Sequence, residues 1–204
     1  MALKLLQLLA GQYEFILKTF GEQALSGVKA HLEKELQEVK ANPSDVMEWA
    51  DCFLLSIGGA MRAGEGAEQV NEYLRDVCSQ SKAHPHAIQI DDLLEEVVEM
   101  DASRWQDWAT MAFRVAIAST QHGHENVMLA AAEKLAINKA RHWPDWKAQP
   151  LDGAIEHVKS PDEQASQDLA LIGLLSLSER DKKAGKTCSV EEAIRRMGAA
   201  REAV

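Results

Sequence analysis

The chain repeats itself. A stretch beginning at Glu35, "ELQEVKANPSDVMEWADCFLLSIGGAMRAGEGAEQV", is echoed by one beginning at Glu96, "EVVEMDASRWQDWATMAFRVAIASTQHGHENV". Both open on Glu-x-x-Glu and reach an acidic-Trp-Ala step, Glu48-Trp49-Ala50 and Asp107-Trp108-Ala109. Both then run through an apolar segment to Gly64 or Gly123 and on to "EQV" or "ENV". "SKA" at 81–83 lines up with "NKA" at 138–140, and the offset throughout is about 57 to 61 residues. Such a period constrains a fold strongly, because each copy must be one supersecondary unit that packs against the other. The echo reads as a tandem duplication with degenerate copies over 25–84 and 88–146; the alternative is chance recurrence in a biased helical composition.

The repeated unit is helical. Alanine, leucine, glutamate and lysine dominate and β-branched runs are scarce. Proline and glycine fall at punctuation points. "ANPSD" (41–45) stops one helix and offers Ser44 or Asp45 as the next cap. "RAGEGAEQ" (62–69), "KAHPHA" (82–87) and "HWPDWKAQPLDG" (142–153) are further breaks. "KSPDEQ" (159–164) starts a helix with Ser160 as cap and Pro161 at the first position. Ser189-x-x-Glu192 matches a capping box. The pattern predicts an all-α bundle of about seven to nine helices, residues 1–158 forming its main domain and 159–204 a helical extension.

Composition narrows the function. The formal charge of −10 argues against a nucleic-acid binder, which needs a basic face. It leaves room for a nucleotide when a divalent cation offsets charge on both sides. Cys52, Cys78 and Cys188 are scattered without a C-x-x-C, which fits a reduced, cytoplasmic setting. "MALKLLQLLAG" reads as a helix start and not as a signal peptide, and no segment approaches a membrane span of about 20 apolar residues.

Four carboxylates stand out. Residues three apart on a helix share a face, so Glu35 converges with Glu38 and Glu48 with Asp51. The short linker between the pairs makes an antiparallel hairpin, on which the two pairs can face each other. Four ionised carboxylates at one spot need a cation, and Mg²⁺ or Mn²⁺ prefers oxygen ligands. Leu32, Leu36 and Val39 flank the first pair, and Trp49, Phe53, Leu54 and Leu55 the second. The competing reading is an ordinary solvated face, because Glu-x-x-Glu is common on exposed helices. Glu-x-x-His, the ligand pattern of di-iron bundles, occurs nowhere in the chain. No P-loop, Rossmann glycine pattern, H-E-x-x-H or Gly-x-Ser-x-Gly elbow occurs either. The histidines of "HPH" and "HGH" read as exposed loop residues.

Together, "HLEKELQEV…NPSDVMEWADCFLLSIGGAMRAG" and "KLAINKARHWP" resemble the all-α MazG-like nucleoside triphosphate pyrophosphohydrolases, and most closely their dATP/dGTP branch. The resemblance covers about residues 25–66 and 120–158. It implies that Glu35, Glu38, Glu48 and Asp51 hold Mg²⁺, with Mn²⁺ as an alternative, and that Glu38 takes the proton of an attacking water. It further implies that Lys134, Asn138, Arg141 and Trp143 of Lys-x-x-x-Asn-x-x-Arg-x-Trp-Pro meet the substrate. Trp143 and Trp146 also read as packing anchors, and Lys134 and Arg141 as a basic helix end. One departure is that some 60 residues separate "RAG" from the Asn-x-x-Arg segment, which duplication would explain. The products implied are a deoxynucleoside monophosphate and pyrophosphate. Such bundles bury apolar faces by assembling, so a homo-oligomer is expected unless the repeat mimics a dimer within one chain.

The most acidic block, "DDLLEEVVEMD" (91–101), offers a second cluster at Glu95, Glu96 and Glu99. Thr110 stands where the first copy has Asp51, so the block is read as structural. "DLALIGLLSLSERDKKAG" (168–185) reads as a core or dimer helix. The rival to an enzyme is a non-catalytic helical interaction protein on a decayed pyrophosphohydrolase scaffold. A different phosphohydrolase that releases orthophosphate is a second rival.

Overall fold

Asn42 and Pro43 end one helix and the Asp45 carboxylate starts the next, accepting from the Met47 N–H at 2.9 Å. The computed structural model describes residues 2–21, 23–64, 66–80, 87–150 and 152–158. Over these the chain forms α1 (Ala2–Phe20), α2 (Leu25–Ala41), α3 (Val46–Ala63), α4 (Ala67–Gln80), α5 (Ile90–Glu99), α6 (Trp105–Gln121) and α7 (Val127–Ala140). A single 3-10 turn follows at Trp146–Ala148. Among the described residues there is no strand, only an antiparallel bridge between His142 and Val158. No described helix is long and apolar enough to cross a membrane. The expected breaks at 41–45, 62–69 and 142–153 separate elements here. The helices expected from Ser160, over 168–185 and from Ser189, with most of the 82–87 break, lie outside the described residues.

The two copies share a detail finer than helix order. The Trp49 indole N–H donates to the Pro43 carbonyl at 3.0 Å, and the Trp108 indole N–H to the Ala102 carbonyl at 2.8 Å. Each tie runs from the first turn of a helix back to the same point of the preceding corner. The second corner has no proline. There Asp101 accepts from the Ser103 amide at 2.9 Å and hydroxyl at 2.7 Å.

The copies are α2–α3–α4 and α5–α6–α7. Their middle helices, α3 and α6, make the most extensive packing in the bundle. The second copy's last helix, α7, packs mainly on α3 of the first, while α4 packs on α1 and also reaches α6 of the second. Each copy's last helix thus reaches the other copy's middle helix, which ties the two copies into one bundle. The core runs along this seam: Trp49, Ile57, Met61, Trp108, Met111 and Val115 are fully buried.

Gly59 is a consequence of that seam. A Cβ there would lie 2.3 Å from the Trp108 ring, so α3 approaches α6 as closely as it does only without a side chain. Gly59→Ala should therefore destabilise the protein by about 1–3 kcal/mol, as overpacking of a dense core does. A urea melt measures it, and an unchanged midpoint would show that the seam can open without cost.

Candidate metal centre

Packing brings the predicted acids together. Leu32, Leu36 and Val39 anchor one stripe of α2 in the core, and Glu35 lies within that stripe, only 6% exposed. On α3 the buried Trp49, Cys52 and Phe53 fix the roll of the helix, which turns Glu48 and Asp51 towards α2. Carboxylate oxygens of Glu35, Glu38 and Glu48 all lie within 4.8 Å of one another. Beneath them the wholly buried Cys52 thiol is pushed up by burial and then by Glu35, Asp51, Glu48 and Glu38, so all four acids bear on one point. The solvated-face reading fails for Glu35, which is buried, whereas Glu38 is half-exposed and Glu48 partly so.

The fourth acid is engaged differently. Asp51 pairs through Oδ2 with the Lys134 Nζ at 2.5 Å, both side chains largely shielded from water. Lys134 belongs to α7, so the second copy supplies a cation to the first copy's acids. Two partners escaped the sequence reading. The His31 Nε2 lies 3.0 Å from the Glu35 Oε1, one turn back on α2. The i, i+4 spacing of His31 and Glu35 was the signal that could have found it. Lys34 links Glu38 at 3.1 Å to Glu156 at 3.0 Å, tying the 152–158 segment to the site. Nothing local to either residue signals the Glu156 contact.

The carboxylates are tuned apart. Burial alone would raise Glu35, but hydrogen bonding and charge from His31, then Lys34, outweigh it and hold the carboxyl below its ordinary value. Burial raises Glu48, with Glu38 adding, Lys134 opposing, and Glu35 and Asp51 adding further. Burial also raises Asp51, against Lys134 and with Glu35 adding. Protons on Glu48 and Asp51 therefore compete with a cation over a range above their ordinary values near pH 4. If these acids hold a divalent cation, added Mg²⁺ should stabilise the protein more at pH 7.5 than at pH 5. A thermal shift equal at both would rule out that competition.

The remaining predicted residues gather at the C-terminal end of α7. Arg141 donates from Nη1 to the Asn138 Oδ1 at 3.1 Å, and the Trp143 indole N–H to the Asn138 carbonyl at 2.7 Å. The Trp143 ring packs edge-on against Phe15 and Phe20 and lies 5.9 Å from His157. Arg141, Trp143 and Trp146 line a cavity of about 600 Å³ with Lys18, Lys139 and Lys147. Among these four predicted residues, Lys134 is the one whose side chain pairs with a cluster acid.

A duplicated all-α bundle with an oxygen-rich centre on one hairpin, and a lysine reaching it from the other copy, is the class that fold and site define. A family described as dATP/dGTP pyrophosphohydrolase matches residues 9–87 and again residues 85–164. The chain belongs to the dATP/dGTP pyrophosphohydrolase family and carries its unit twice. The duplication read from the sequence is thereby shown, with units wider than the echo suggested. Searches of curated proteins and of solved structures return no match.

Proposed function

We infer that the protein is a metal-dependent nucleoside triphosphate pyrophosphohydrolase whose first substrates are dATP and dGTP. The observation that carries this is the convergence of Glu35, Glu38 and Glu48 within 4.8 Å, in the first of two matched family units. Their donors are hard oxygens only, one buried and two reachable from solvent, which suits Mg²⁺ or Mn²⁺ and not a softer ion. Bound there with Asp51 alongside, Mg²⁺ would offset phosphate charge and lower the pKa of a coordinated water.

The chain's own groups supply the rest. In this reading Glu38, half-exposed and paired with Lys34, accepts the proton of a water attacking between the α- and β-phosphates. Lys134 stands beside the acids as a fixed positive charge for a phosphate oxygen. Arg141, oriented by Asn138, presents a planar fork that can grip phosphate bidentately. Trp143 frames the cavity next to it. The products are the deoxynucleoside monophosphate and pyrophosphate. A net charge of −10 suits a small substrate carried with its metal and disfavours nucleic acid. The clustered acids and Lys134 all come from one chain, and the repeat can mimic a dimer interface within it, the alternative to a homo-oligomer.

The test is product identity. Incubation with each dNTP and Mg²⁺, followed by chromatography, should yield monophosphate and pyrophosphate. Orthophosphate instead would mean another phosphohydrolase, and no turnover with either Mg²⁺ or Mn²⁺ would mean a non-catalytic scaffold.

A further inference from the structure

The second copy carries its own version of the centre, with Asp107 keeping a carboxylate in place of Glu48 and two changes that alter the charge. Glu96, Glu99, Asp107 and Thr110 correspond to Glu35, Glu38, Glu48 and Asp51. They line a cavity of about 380 Å³ together with Arg114. Thr110 offers a neutral hydroxyl where the first copy has a carboxylate. It hydrogen-bonds the Tyr73 hydroxyl at 2.9 Å, and Tyr73 lies on α4, the other copy's last helix. Lys134 reaches Asp51 from α7 in the same crossed manner.

The second change is the decisive one. Arg114 occupies the position of Leu55, one turn beyond Thr110. Its Nε lies 2.6 Å from the Glu96 Oε2, and Glu96 corresponds to the buried Glu35. A guanidinium keeps its charge at every pH a protein survives. A divalent ion entering this cavity would meet a fixed positive charge already bound to the carboxylate it needs most, with one ligand fewer than in the first copy.

We propose that Arg114 stands in for the divalent cation in the second copy, so that metal binding is confined to the first copy. This rests on reading the first site as a metal centre. Arg114 thereby sets the metal stoichiometry of the chain: the first copy has a replaceable cation and the second a permanent one.

Mn²⁺ binding to the full chain, followed by equilibrium dialysis and electron paramagnetic resonance, tests it without relying on turnover. E35Q/E38Q should lose tight binding altogether. R114L/T110D, which restores the first copy's residues at these two positions, should double the wild-type stoichiometry, and its added sites should survive E35Q/E38Q and vanish on E96Q/E99Q. R114Q/T110D removes the charge while keeping side-chain length; it gives the same readout if the leucine variant folds poorly. Tight binding that persists in E35Q/E38Q and is lost on adding E96Q/E99Q would overturn the proposal. So would folded R114L/T110D and R114Q/T110D proteins that gain no site. A wild type that binds no Mn²⁺ overturns the reading of the first site, and a site gained in R114L/T110D would still assign Arg114 its role.

Discussion

On the proposed mechanism Glu38→Gln should lower turnover of dATP or dGTP by about 10²–10⁴-fold, the range expected when a general base is removed, through loss of both the base and an oxygen of the proposed metal centre. Stability should hardly move. Glu38 is half-exposed and its partner Lys34 is equally so, an ion pair worth about 0–1 kcal/mol at most. Circular dichroism should show unchanged helix content and a melting point near that of wild type. The contrast is Glu35, buried and bonded to His31, where glutamine should cost some stability as well as function while leaving the bundle folded. Glu38→Gln with turnover within tenfold of wild type would remove Glu38 from the mechanism and leave the metal centre without its exposed oxygen.

Lys134→Met should cost about 3 kcal/mol of stability at neutral pH without metal, since it leaves Asp51 shielded and unpaired. The cost should depend on pH with a definite sign. Burial already lifts the Asp51 carboxyl above its ordinary value, against Lys134. Without the lysine it rises further, so the folded state favours the protonated form. A group raised in this way costs nothing below its unfolded value near pH 4, and its cost grows as pH rises towards the folded value. The deficit should be small near pH 4 and grow as pH rises through the raised Asp51 value, and Mg²⁺ should recover part of it by mass action. Urea melts across pH, with and without Mg²⁺, measure both effects. A deficit that does not change with pH would assign the loss to packing of the lysine stem instead of its charge.

Much of the site was legible because it is local. Two residues three apart on one helix share a face, and a short linker with Pro43 and Asp45 brings the second pair back beside the first. The all-α class followed from the same periodicity. The duplication was legible in Trp49 and Trp108, whose identical indole ties show why that step recurs. His31 was missed, although its i, i+4 spacing to Glu35 is local too. The 100–104 corner holds no proline and is recognised only through its likeness to 41–45. Trp143 was read from motif and spacing, which say nothing of Phe15 and Phe20, the rings it packs against.

What the sequence by itself determined is which oxygens can meet: helix pitch and a tight corner suffice to place Glu35, Glu38 and Glu48 together. What only the tertiary structure decided is which of the acids carries an internal cation. Lys134 meets Asp51 because α7 of the second copy crosses onto α3 of the first. The physical reason is range: backbone geometry fixes neighbours within a few turns, whereas pairing across the bundle depends on how two buried apolar stripes settle against each other.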